Sequence, residues 1–241
     1  MKYEESLNEK TRALLEKLQT AGADITFELD NTASTWYVQE RKSFKIASPN
    51  DSPNQAAMAH ELLHVHLTLR GFSGGFEIYK QYNEANSICT SDFVGDLNNT
   101  LAHFKMIDDF LELGFNIDDF LQDTPKQYFL DSILFRTTMM VAQHNAGIVV
   151  DVCEQTRDII MLCGSAKLFE LYKIKDPNTK NGLHPDGVMT PLREINSDLI
   201  EGLDNLFKEW NEANTLDNPQ FYFRLNALLQ KLGIPSGNEC K

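Results

Sequence analysis

The chain has only four cysteines, Cys89, Cys153, Cys163 and Cys240, and no two stand at the CxxC spacing of a zinc knuckle or a redox motif. A disulfide-built scaffold is therefore excluded, and free buried thiols in a reducing compartment are the expectation. Basic residues are also scarce. Lys and Arg number 22 against 35 Asp and Glu, a formal net charge of −13, so the chain repels a phosphate backbone instead of releasing its counterions. Nucleic acid is not an expected partner. Long apolar runs are missing too. Gly147-Ile148-Val149-Val150 falls far short of the roughly 20 residues that span a bilayer, and the charged start Met1-Lys2-Tyr3-Glu4-Glu5 shows no apolar signal segment. A soluble, cytoplasmic protein without membrane contact is expected. What remains is ordinary globular usage, 42% hydrophobic and 24% charged over 241 residues, enough to bury one core over residues 1–241.

Hydrophobic periodicity organises that core. Residues Tyr3 to Thr20 place Leu7, Leu14, Leu15 and Leu18 among charges, an amphipathic helix closed by Gly22. Three short strands follow, Ile25–Leu29, Ser34–Val38 and Ser43–Ile46, separated by turns at Asp30-Asn31 and Glu40-Arg41-Lys42. Ser52 and Gln55 then form a capping box with Pro53 at the first helical position, and the helix they start runs to Arg70, with Gly71 as a left-handed cap. Beyond Tyr79 helical spacing dominates, with helices expected at about 83–91, 96–113, 125–145, 148–162 and 165–173. Two more are expected, one capped by Thr190 with Pro191 at its first position and one from Pro219 to Gly233. The aromatic stretches around Phe104, Phe110, Phe115 and Phe120 recur at helical intervals and are read as core.

The chemistry sits in His60-Glu61-Leu62-Leu63-His64, an HExxH motif. Each helical residue turns about 100°, so positions i and i+4 lie within about 40° of one another and their imidazoles can grip one metal ion. Glu61 points beside the metal, where a carboxylate can take a proton from an attacking water. His66 lies about 200° around the helix from His64 and is expected to pack or meet solvent.

On this motif and its setting the chain resembles the zincin metallopeptidases. Within them it is most similar to the small intracellular zincins, such as phage-repressor-cleaving and radiation-response regulators, over about residues 25–110. The resemblance implies an α+β, zincin-like fold: a short N-terminal β-sheet packed on the HExxH helix (residues 1–75), then a mostly helical C-terminal part (residues 76–241). It also implies zinc (Zn2+) held by His60 and His64, Glu61 as general base, and a third ligand from a later helix. The longer metzincin signature is absent, because Leu67 and Arg70 stand where it has Gly and His.

A catalytic zinc takes three protein ligands and leaves a fourth position for water. His103 is the chosen third ligand, on a helix with Asn99 four residues earlier as a hydrogen-bonding partner. Glu84 and Asp96 are the main rivals, since a later glutamate is usual in the gluzincin branch. Glu77, Asp92 and His144 are weaker ones. The function this implies is a zinc-dependent hydrolase, a metallopeptidase acting on a peptide or protein substrate laid as an added strand along the sheet edge, for which Ser43–Ile46 is the expected place. The alternative is a regulatory or protein-interaction protein on a zincin-like scaffold, with zinc structural or absent. Its attraction is the large helical C-terminal half, which hydrolysis does not obviously require.

Overall fold

The structure is a computed structural model and describes residues 3–40, 43–82, 88–120, 126–179 and 184–234. It is α+β: three short strands and a chain that is otherwise mostly helical. A 3-10 turn at Tyr3–Ser6 leads into α1 (Glu9–Thr20), capped by the Asn8 side chain, which accepts from Thr11 N at 2.8 Å. Then come β1 (Ile25–Leu29), β2 (Tyr37–Glu40) and β3 (Phe44–Ser48), followed by α2 (Gln55–Leu69) and α3 (Gly75–Tyr82). The rest is α4 (Ser91–Glu112), α5 (Lys126–Asn145), α6 (Val152–Lys175), α7 (Asp186–Glu212) and α8 (Asn218–Lys231). Among the described residues no helix is long and apolar enough to cross a membrane.

The chain divides into two compact units, Met1–Gly71 with Lys105–Lys126, and Phe72–Phe104 with Gln127–Lys241. In the first, the sheet packs on α2 through β2 and β3, and α1 packs on α2 as well. The strand order is β1-β3-β2, with β3 parallel to β1 and antiparallel to β2. The expectation that residues 43–46 form a free edge is thus corrected. Phe44–Ile46 pair on both sides, Ile46, Ala47 and Ser48 are fully buried, and the edges are β1 and β2. Burial on both faces is what a central strand requires, and local alternation cannot report which neighbours flank it. The second strand also lies further on than expected, at Tyr37–Glu40, while Trp36 just before it is buried and meets Tyr3 edge-on at 6.0 Å.

Local signals placed helices better than their ends. The cap of α2 is Asn54, which accepts from Ala57 N at 3.1 Å, and not the expected Ser52. Asn54 serves the same purpose, satisfying an orphan N–H of the first turn. At the other end Gly71 adopts φ +97°, the left-handed conformation expected of it. A helix not expected, α3, occupies Gly75–Tyr82; of the one expected at 83–91, residues 83–87 lie outside the described residues and Ile88–Thr90 is not helical. The two helices expected across 148–173 are one, α6, because Gly164 sits in mid-helix where the Phe207 ring comes so close that a Cβ would stand 2.8 Å from it. Pro191 lies inside α7, and the break comes at Asn196 (φ −155°, ψ 89°), whose Oδ1 accepts from Leu199 N at 3.0 Å. The second unit has its core along α4, α6, α7 and α8, with Leu97, Leu101, Ile160, Leu192 and Leu203 fully buried. Cys89 and Cys163 are free and buried as expected, whereas Cys153 is disulfide-bonded; pairing across a fold is invisible to sequence spacing.

Candidate metal centre

Helix α2, which carries the HExxH motif, is apolar almost all the way round. Ala56 through Ala59, Leu62, Leu63, Val65 and Leu67 are buried, with Met58, Ala59, Leu62 and Val65 fully so, and its rotation is set by packing. That packing leaves His60 and His64 half-buried on one side, and their Nε2 atoms stand 3.2 Å apart. Two nitrogens each about 2.0–2.1 Å from a tetrahedral zinc are separated by about 3.3–3.4 Å. The pair is already close to that spacing.

His103 supplies a third imidazole. One ring nitrogen from each of His60, His64 and His103 lies within 4.8 Å of the other two, and the three can hold a metal ion. The boundary between the compact units falls inside α4, after Phe104, so His103 rides on a continuous helix whose C-terminal part belongs with α2. That part is tied down: Asp109 lies 3.9 Å from both His66 Nδ1 and Arg70, and Lys10 donates to Glu112 O at 2.8 Å. His66 is thereby placed away from the imidazole cluster, as its angle around the helix requires.

Electrostatics favour the ligand form of the cluster. Burial pushes the pKa of His64 down from 6.5 to about 4, so the ring is neutral at ordinary pH, the state that binds a metal. The His103 ring is 7% exposed. Phe120 closes one side, its ring centroid 4.7 Å from that of His60, and it packs edge-on against Phe110 at 5.0 Å. Phe120 was legible only as one member of a core stripe; its place as a wall of the cluster had no local signal. Glu61 is 5% exposed and is not one of the three clustered ligands.

The rival third ligands fall elsewhere or cannot be placed. Asp92 and Asp96 share an exposed face of α4, His144 is exposed at the end of α5, and Asn99 is exposed as well. Glu77 lies over Gly74, where its carboxylate would meet a Cβ at 2.6 Å. Glu84 lies outside the described residues. Comparison with known proteins adds nothing to the geometry: no family model, curated protein or solved structure matches this chain.

Proposed function

We propose that this chain is a zinc-dependent hydrolase, a metallopeptidase of the small intracellular zincin kind. The observation that carries the reading is the convergence of three imidazoles on the helix of an HExxH motif, two of them already at zinc spacing. His60, His64 and His103 would hold the ion. When bound, zinc would supply Lewis-acid chemistry that makes a water acidic enough to attack near neutral pH. Glu61 would be the general base, taking a proton from the attacking water and returning it to the leaving amine nitrogen. Glu61 is buried on the same helix as His60 and His64, and a buried carboxyl is uncommon without a polar task. A peptide substrate added as a strand would run along β1 or β2, the two edges of the sheet.

Elemental analysis and a cleavage assay test the reading together. Protein purified without chelators should carry one zinc per chain, and His60→Ala or His64→Ala should remove it. Glu61→Gln should keep the zinc and lose about 10²- to 10⁴-fold of peptide hydrolysis, because the amide cannot accept a proton. No metal uptake on adding zinc, or a Glu61→Gln variant as active as the parent, refutes the proposal.

A further inference from the structure

The helical C-terminal half has no part in the mechanism above, yet it grips α4 through hydrogen bonds at regular positions. Tyr222 on α8 donates its hydroxyl to Val94 O at 3.2 Å. Asn218, at the start of α8, donates to the Asn98 side chain at 2.6 Å. Trp210 on α7 donates its indole N–H to Leu101 O at 3.0 Å. Positions 94, 98 and 101 follow the i, i+4, i+7 spacing of one helix face. His103 lies about 140° to 180° around α4 from each of them, on the opposite face.

Asn218 is the centre of this grip. It is fully buried, and its amide pairs with the backbone of Ser73 at both ends, accepting from Ser73 N at 2.9 Å and donating to Ser73 O at 2.9 Å. Asn98 also donates to Ser73 O, at 3.1 Å. One buried amide thus ties Ser73 to α4 within the second unit. The backbones meet closely beside it: a Cβ on Gly75 would stand 3.5 Å from Gly95 Cα. Three directional bonds to one face add to packing a restraint on rotation of the helix about its axis.

We infer that α7 and α8 set the rotation of α4, with Asn218 as the principal positioning residue, so that His103 faces the other two imidazoles. The inference rests on the metal-site reading above. Asn218 touches no ligand itself; it acts through Asn98 and the α4 backbone.

Cobalt(II) is the probe, because its visible absorption reports both affinity and coordination geometry. The full chain is titrated with cobalt(II) as the parent, as Asn218→Leu, as the milder Tyr222→Phe, and as Leu229→Ala, a buried α8 control outside the grip. Expected is a cobalt affinity at least tenfold weaker for Asn218→Leu, with a lowered absorption per metal, a smaller loss in the same direction for Tyr222→Phe, and an unchanged titration for Leu229→Ala even where its melting temperature falls as far. The magnitude follows that of residues one step removed from a metal ligand, roughly 10- to 100-fold. If Asn218→Leu fails to fold, Tyr222→Phe decides, since it removes one oxygen only. Parent-like titration of the folded grip variants, or equal weakening by Leu229→Ala, overturns the inference. A parent that takes up no cobalt overturns the metal-site reading and the inference with it, and that result is seen on the parent alone.

Discussion

Removing His103 should abolish most of the stabilisation that zinc confers, and the size of the effect can be worked from the site. His60 and His64 hold their nitrogens at 3.2 Å, near the zinc spacing, while the full triad spreads to at most 4.8 Å. Closing the third nitrogen to about 3.4 Å is a side-chain adjustment, so the parent should bind zinc without a backbone cost. At a free zinc concentration 100 times the Kd, binding to the folded state alone adds about 2.7 kcal/mol. In a chain of this size that raises the melting temperature by roughly 5–10 °C. His103→Ala leaves two imidazoles, and an affinity weaker by about 100-fold brings the same zinc concentration down to its Kd, where the gain is only about 0.4 kcal/mol, or about 1 °C. Thermal melts followed by circular dichroism, with zinc and with chelator, measure both shifts on one sample pair. A His103→Ala variant that keeps the full zinc shift would show that another group holds the third position.

Further outcomes follow from particular contacts. Gly164→Ala should destabilise the protein by about 1–2 kcal/mol in urea unfolding, since crowding against the buried Phe207 ring outweighs the roughly 1 kcal/mol that Ala gains in a helix; a stabilised variant would refute the close approach. The metal-free protein should lose stability as pH falls from 6.5 toward 4. Burial depresses the His64 pKa to about 4, so the unfolded chain binds the extra proton across that window, a loss on the order of 3 kcal/mol that His64→Gln should flatten and that an unchanged slope would contradict. Cys163, its thiol pushed up to about 12 by burial, should resist a thiol-specific reagent at pH 8 until the protein is unfolded; rapid native labelling at that position would count against its burial.

The HExxH helix was legible because everything it needs is local. Ala-rich helix-forming sequence, a cap within a few residues of its start and Gly71 at its end all lie within one stretch, and i, i+4 geometry puts two imidazoles on one side whatever the rest of the chain does. Strand Ile25–Leu29 was legible for the same reason, and so were α1 and α8. Boundaries were less so: Asn54 and Ser52 are both competent caps, and it is Asn54 whose side chain accepts from the first turn. Gly164 and Pro191 looked like helix ends because local propensity disfavours both, yet α6 and α7 run through them.

By itself, then, the sequence determined that His60 and His64 share one side of a helix, with Glu61 between them in the chain, and the α+β order of elements, because these depend on spacing along one chain. Tertiary structure alone decided that β3 lies between β1 and β2, that His103 comes within reach of His60 and His64, and that Asn218, which is 120 residues from Asn98, bonds to it in the core. Such contacts join residues distant in sequence through burial and directional hydrogen bonds, and neither leaves a periodic trace in the chain.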